Sequence, residues 1–524
     1  MKKLFTPSFW PKLFCGLLLF AQLLLVTLGL FVLLGLITDP AQSSSFILFF
    51  LAIIFVANVI IAILIINSDS APAYKVAWMF FVFALPIGGI LLYVFFANKT
   101  NSRGNQKKIR KEAYPILDTP TDLGTHASMR KTAPYALPVS DFLTKVGKLG
   151  AHSRTSVEYF PLVDFAFEPI LRELKKAKHY IFLEFFIVAP GKFWDSILEI
   201  LVQKAKEGVD VRLIYDDVGS LSTLPSGYDF KLRKLGIKAV AYNPFRPFLD
   251  IRQNNRDHRK ILVIDGHTAF SGGFNLADEY INAVERFGHW KDNAILLKGE
   301  GVYSFTLLFL STWKSIHKKE KIDKAYYSPD TYIDEIGGYP ESRGFVQPYG
   351  DLPFDNEEVG ESVYLSLLHR AERYCYITTP YLILDPETES SLCRAAKGGI
   401  DVRLVTPHIP DKKAVFNLTR SYYGKLLRSG VRIYEYAPGF VHEKTFCVDD
   451  RLATCGTINL DYRSLYLHLE CGTLMIDAPA IKNIRRDFDD TFALCHEVHL
   501  DEWERWKKRN RGYWSLLRVI DPLL

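Results

Sequence analysis

HRKILVIDGHTAFSGGFN, residues 258–275, has a second copy in the same chain: HEKTFCVDDRLATCGTIN, residues 442–459. Aligned without a gap, both read His-x-Lys-x4-Asp-x6-Gly-x-x-Asn. His258, Lys260, Asp265, Gly272 and Asn275 therefore match His442, Lys444, Asp449, Gly456 and Asn459. Five matched positions occurring twice set the pattern apart from a chance His-x-Lys. Each copy runs through an apolar, strand-like stretch, so its His and Lys, two residues apart, share one face of a strand. Two such strands side by side would gather two imidazoles, two ammonium groups and two amides around one small volume. Imidazole acts as nucleophile or proton carrier near neutral pH, and lysine and amide donors stabilise charge on phosphoryl oxygens. The set favours phosphoryl transfer through a phosphohistidine. Metal binding is the rival chemistry for His and Asp. The two lysines oppose it, because an ammonium repels a divalent cation and offers no lone pair, and no metal or other cofactor is expected.

The repetition reaches beyond the motif. HYIFLEFFIV (179–188) parallels RYCYITTPYLI (373–383), KAKEGVDVRLIYDD (204–217) parallels RAAKGGIDVRLVTP (394–407), and LGIKAVAYNPF (235–245) parallels SGVRIYEYAPGF (429–440). Strands alternating with helical stretches and separated by turn signals imply an α/β fold. The expectation is two tandem halves, each a mixed β-sheet flanked by helices, with the active site between them.

Each half also supplies a carboxylate after its motif: Asp292 in HWKDNAILL and Glu470 in LHLECGTLM. A catalytic imidazole is commonly held in one tautomer by a carboxylate on its far nitrogen. Asp292 is expected to orient His258, and Glu470 to orient His442. Asp265 and Asp449 complete the motif and count with its catalytic set, although each closes an apolar run and opens a turn, a position that suits a structural role.

The duplicated pattern resembles the HKD signature of the phospholipase D superfamily. The surrounding stretches, YDDVGSL (215–221), NRDHRKILVIDGHTAFSGGFNLADEY (255–280), TTPYLILD (378–385), SYYGKLLRSGVRIYEY (421–436) and GTINLDYRS (456–464), narrow the resemblance to bacterial cardiolipin synthases. It runs from about residue 75 to the C-terminus. The resemblance implies transfer of a phosphatidyl group from one phosphatidylglycerol to another, giving cardiolipin and glycerol. It also implies His258 as nucleophile, His442 as acid and then base, and Lys260, Lys444, Asn275 and Asn459 on the phosphoryl oxygens. The motif itself is symmetric and does not say which histidine attacks. Thr457 stands where the first half has Gly273, so only the second half offers a hydroxyl beside its Asn for phosphate binding. His468 occupies a position where relatives often carry Asn. The motifs leave the acceptor open: water would make the protein a phospholipase D, another alcohol a different synthase, and a silent membrane scaffold is the reading from another class.

Three apolar runs precede the motifs, residues 13–37, 46–66 and 76–97, each long enough to cross a hydrocarbon core that needs about 20 residues. The first is too long for a signal-peptide core and is followed by another span, so it reads as an uncleaved anchor. Lys2, Lys3 and Lys12 before the first run, and Lys99, Arg103, Lys107, Lys108, Arg110 and Lys111 after the third, favour the cytoplasm at both ends. That requires an even number of crossings. Pro86, Gly88 and Gly89 interrupt the third run and mark it as kinked or re-entrant.

The domain reading is a membrane segment at 1–97, a basic juxtamembrane linker at 98–150, catalytic halves at 151–335 and 336–500, and an amphipathic aromatic and basic tail at 501–524. The tail reads equally as a membrane-surface contact or as a helix docked on the domain. Seven scattered cysteines without Cys-x-x-Cys spacing suit a reduced interior. A net charge of +6, clustered beside the apolar runs, suggests anionic lipid rather than nucleic acid as partner. The expected place is the cell membrane, multi-pass, with a cytoplasmic catalytic domain. Oligomeric state carries no signal in the sequence.

Overall fold

A computed structural model describes residues 40–68, 71–96, 111–245, 255–355, 357–510, 517–519 and 521. Alternating apolar runs and turn residues produce two sheets of matching topology. In the first half, β1 (Thr155–Phe160), β2 (Tyr180–Phe185), β3 (Asp210–Asp216), β4 (Lys238–Tyr242), β5 (Lys260–Ile264) and β6 (Thr268–Gly272) are followed by the short β7 (His289–Lys291) and by β8 (Ala294–Gly299). The second half has β9 (Phe345–Asp351), β10 (Tyr374–Thr378), β11 (Asp401–Pro407), β12 (Arg432–Tyr436), the short β13 (Gly439–Val441), β14 (Thr445–Val448), β15 (Leu452–Gly456), β16 (Glu470–Ile476) and β17 (Cys495–Val498).

The first sheet runs β1-β8-β6-β5-β2-β3-β4, and the second runs β9-β16-β15-β14-β10-β11-β12 with β17 added at its edge. In each, three parallel strands joined by helices (β2-β3-β4, β10-β11-β12) meet an antiparallel set that carries the motif. Each half is thus a mixed sheet, as the repeats imply.

One face of each sheet contributes to a shared apolar core. Phe182, Ile261, Val263 and Ala269 from the first half, and Cys447, Ala453, Cys455, Cys471 and Met475 from the second, are grouped there. Helices Val302–Ile316 and Ala480–Ala493 enter the same core through Phe305, Phe309, Ile484 and Phe488. Each fully buried side chain of this size is worth roughly 1.5–3 kcal/mol, so the halves are bound into one body. Among the described residues six cysteines are free thiols, and only Cys495 is not fully buried, in keeping with a reduced interior.

One expectation is corrected and one open reading is narrowed. Residues 111–150 are not a plain linker: from residue 111 the chain is helical, with helices Leu123–Thr132 and Leu137–Lys145 following. Met129, Val139 and Leu143 are buried, and Gln347 on β9 donates to the Ser140 and Leu149 carbonyls at 3.1 and 2.8 Å. At the other end, the first part of the tail forms helix Leu500–Arg509, docked on helix Lys413–Arg428. Trp503 is buried there and its indole donates to the Arg420 carbonyl at 2.7 Å, which favours the docked reading for that part.

Residues 40–68 and 71–96, with 245, 519 and 521, belong to a separate unit. The run at 13–37 lies outside the described residues. Helix Pro40–Ile66 contains the second run over 27 residues. The third breaks at Leu85, Pro86 and Ile87 into helices Pro72–Ala84 and Gly88–Phe96. Their arms fold back on each other: the Trp78 and Tyr93 rings lie 5.6 Å apart, whereas fifteen residues of continuous helix would separate them by about 22 Å. Gly89 permits the close approach, since a Cβ there would sit 2.0 Å from the Phe81 carbonyl oxygen. Among residues whose side chains are described, no helix is long and apolar enough to cross a membrane.

Candidate active site

His258 stands two residues before Lys260, the first residue of β5, and pairs outside its own sheet. Its N–H donates to the Leu469 carbonyl at 2.9 Å, and the Leu469 N–H donates to the Arg256 carbonyl at 2.8 Å, a parallel bridge between the halves. The second motif does the same in reverse. β13 pairs in parallel with β7, and the His442 N–H donates to the Lys291 carbonyl at 2.7 Å. Parallel pairing sets the residue after Leu469 beside His258 and the residue after Lys291 beside His442. Those residues are Glu470 and Asp292.

The carboxylates are therefore exchanged relative to the sequence expectation. His258 Nδ1 lies 2.9 Å from Glu470 Oε1 and 3.0 Å from Oε2, and His442 Nδ1 lies 2.7 Å from Asp292 Oδ2. Each half's histidine is held by the other half's carboxylate. An ionised carboxylate only accepts, so Nδ1 carries the shared proton and Nε2 keeps its lone pair. Both carboxylates are completely buried, while each histidine retains 7% exposure.

Lys260 donates to the His258 carbonyl at 2.6 Å, and Lys444 donates to the His442 carbonyl. Burial pulls the Lys260 ammonium down to about 7 and that of Lys444 to about 8, against the Glu470 and Asp292 charges that favour the cations. Burial also lowers His442 to about 4, helped by Lys444 and opposed by Asp292. His258 is pushed well below its ordinary value, first by burial and then by Lys260, His468 and Lys444. Burial raises Glu470 well above the usual carboxylate range. The result is two imidazoles biased to the free base, facing cations that an anionic substrate would hold in their charged form.

Other residues of the motif take different parts. Asp265 accepts from the backbone N–H groups of Lys178, His179 and Tyr180, each at 2.8 Å, and Asp449 accepts from those of Glu372, Arg373 and Tyr374. They tie the starts of β2 and β10, and Asp265 lies five residues of strand beyond Lys260, about 17 Å. The structure corrects their catalytic assignment to a structural one. Thr457 donates its hydroxyl proton to Glu470 and accepts from the Cys471 N–H at 3.0 Å, so it supports the carboxylate rather than facing a phosphate. Gly273, its counterpart, is required by Asp292: a Cβ would sit 2.1 Å from Oδ1. Asn275 accepts from the Ile187 N–H at 3.0 Å and donates to the Tyr280 hydroxyl at 2.7 Å, which leaves one amide hydrogen uncommitted. Asn459 has a buried side-chain oxygen with no partner.

The motif did not reveal the aromatic walls. Phe186 meets His258 edge-on at 5.0 Å; Tyr280, Trp290 and Phe440 stand 5.5, 5.6 and 5.9 Å from His442. Phe186 stands just beyond β2, and Trp290 and Phe440 stand two residues before Asp292 and His442, the only sequence signal these three carry. His468, 5.6 Å from His258, completes the first pocket. With His258 and Glu470 it offers three ligand atoms within 4.8 Å of one another, the one such cluster among the described residues.

Fold and site together define a two-motif transferase of the phospholipase D type. The family model described as cardiolipin synthase, PLD-like domain, matches residues 170–296 and again 364–492, and a phospholipase D-nuclease N-terminal model matches residues 47–98. The chain is 33% identical to a cardiolipin synthase of Geobacillus kaustophilus, over 89% of this chain and 92% of that one. It is 34% identical to cardiolipin synthase 2 of Bacillus anthracis, over 90% of each. On this similarity the chain belongs to the cardiolipin synthase family. Phosphatidylserine synthase of Haemophilus influenzae has a related fold, with TM-score 0.56 and 15% identity, covering 74% of this chain and all of that one.

Proposed function

We propose that the protein makes cardiolipin by exchanging one phosphodiester for another. His258 Nε2 attacks the phosphorus of one phosphatidylglycerol and the bond to the glycerol oxygen breaks; His442, which enters this step as the imidazolium that the bound phosphate's negative charge favours, gives that oxygen its Nε2 proton. In the second step His442 takes the proton of a hydroxyl on a second phosphatidylglycerol; the oxygen attacks phosphorus, and the bond to His258 breaks. Lys260, Lys444, Asn275 and Asn459 face the phosphoryl oxygens, and neither nucleotide nor metal enters the balance. The observation that carries the reading is the pair of imidazoles, each with Nδ1 on a buried carboxylate. The shorter imidazole–carboxylate contact, 2.7 Å for His442 with Asp292 against 2.9 Å for His258 with Glu470, supports His442 as the proton carrier and leaves His258 as nucleophile.

The same reading places the protein in the cell membrane with its catalytic body in the cytoplasm. Helix Pro40–Ile66 contains the apolar run 46–66, which this reading takes as one crossing. The folded-back arms at 72–96 count as no crossing. Runs 13–37 and 46–66 then supply two, and the basic flanks share one side.

The test is purified protein in liposomes of phosphatidylglycerol with chelator present. Cardiolipin and glycerol in equal amounts support the proposal; phosphatidic acid would mean transfer to water; full activity in a His258→Ala or His442→Ala variant would remove the catalytic basis altogether.

A further inference from the structure

The two pockets of the site differ in one wall. The residue two before Glu470 is His468, and the residue two before Asp292 is Trp290. The rings occupy equivalent places: His468 lies 5.6 Å from His258 at 48°, and Trp290 lies 5.6 Å from His442 at 45°. Tryptophan offers no lone pair for coordination, so only the first pocket has a third potential ligand. Both ring nitrogens of His468 are buried without a hydrogen-bond partner, an uncommon state for a polar side chain at such depth.

We propose that His258, His468 and Glu470 form an inhibitory site for a divalent ion of the zinc class. Glu470 Oε1 is 2.9 Å from His258 Nδ1 and 3.7 Å from His468 Nδ1. A tetrahedral zinc with bonds of about 2.0–2.2 Å wants its ligand atoms roughly 3.3 Å apart, between those two values. Two imidazoles and one carboxylate are a ligand set zinc favours, and they leave a fourth position open. Lys260, on the His258 carbonyl, has charge of the same sign as the ion and keeps the site reversible.

The ion would silence the enzyme by fixing a tautomer. It binds the neutral tautomer of His258 whose single ring proton has moved, through solvent, from Nδ1 to Nε2, and takes the lone pair this frees on Nδ1. Nε2 has no lone pair left with which to attack phosphorus. Coordination also draws Glu470 away from its role as proton acceptor. The site itself stands on geometry; only its inhibitory consequence rests on the transferase reading.

The experiment uses the full chain in detergent micelles, stripped of metal, and titrates zinc by calorimetry with cobalt absorption as a second probe. One ion per chain is expected, with binding weakened about tenfold or more in His468→Asn, provided the variant melts like the parent. In the lipid assay zinc should lower the parent's rate about tenfold, reversibly by chelator, and the ratio of zinc-treated to metal-free rate should return toward one in His468→Asn. No bound ion in the parent, or equal binding by parent and variant, overturns the site. Binding without inhibition overturns the tautomer mechanism. A chain that binds zinc yet turns over no lipid removes the assigned activity and leaves the site standing.

Discussion

His258 Nδ1 and Glu470 Oε1, 2.9 Å apart, meet across the boundary between the two sequence repeats. The carboxylate that prepares one half's histidine is built into the other half. Replacing either carboxylate should therefore impair the opposite motif. Glu470→Gln and Asp292→Asn should each lower turnover of phosphatidylglycerol by about 10²–10⁴-fold. A phosphatidyl ester with a nitrophenol leaving group needs no acid, so it should restore the first step in Asp292→Asn and not in Glu470→Gln. Restoration in the opposite variant would reverse the two histidines' roles.

Gly273→Ala tests the space around Asp292. The new Cβ would fall 2.1 Å from Oδ1, so the carboxylate must leave His442. Activity should drop about 10²-fold, with little change in melting temperature. Wild-type turnover would show that the contact has no bearing on catalysis.

Thr457→Val removes the hydroxyl that donates to Glu470 while keeping the side chain's shape. The loss of one buried hydrogen bond to a carboxylate should cost about 1.5–3 kcal/mol in kcat/KM, a fall of roughly 10- to 150-fold. Thr457→Ser should recover most of it. If Thr457 bound phosphate instead, KM would rise and kcat would hold.

Asp449→Ala should act on stability and not on chemistry. It strands three backbone N–H groups at the start of β10, with an expected loss of about 1–3 kcal/mol and a matching fall in melting temperature. Specific activity of the folded fraction should stay within about twofold. A large loss of kcat at unchanged stability would return Asp449 to the catalytic set.

Lys444 sets an alkaline limit. Burial lowers it from 10.5 to about 8 and lowers Lys260 to about 7, so the Lys260 ammonium is lost first and that of Lys444 next, and kcat/KM should decline above about 7 and more steeply above about 8. Lys444→Arg should remove the steeper part and leave the limb that belongs to Lys260. Stability carries the opposite sign. Between 8 and 10.5 the unfolded chain holds a proton that the folded chain does not, so Lys444 makes the fold more stable as pH rises. A pH–rate profile and urea melts at matched pH separate the two effects.

The repeats made the tandem architecture readable, because period-two apolar runs and turn residues recur in register in both halves. The histidines and lysines were readable for the same reason. The crossing of Asp292 and Glu470 was not, since it depends on a three-residue parallel contact, β7 with β13, that leaves no periodicity. Asp265 and Asp449 looked catalytic by company, although their place at a turn marked them as anchors. Residues 111–150 looked like linker because their buried side chains, Met129, Val139 and Leu143 among them, are widely spaced. Trp503 gave the docked helix an anchor that composition alone could not tell from a membrane-facing aromatic.

The exchange of strands at β7 and β13 also governs how such a chain can be made and altered. A ribosome that has finished only the first repeat has released a histidine with no proton acceptor, so an incomplete product cannot attack a lipid. Damage to one repeat disarms the nucleophile or acid of its twin. Two separately expressed fragments should be inert apart and competent when mixed, as the subunits of a dimer would be.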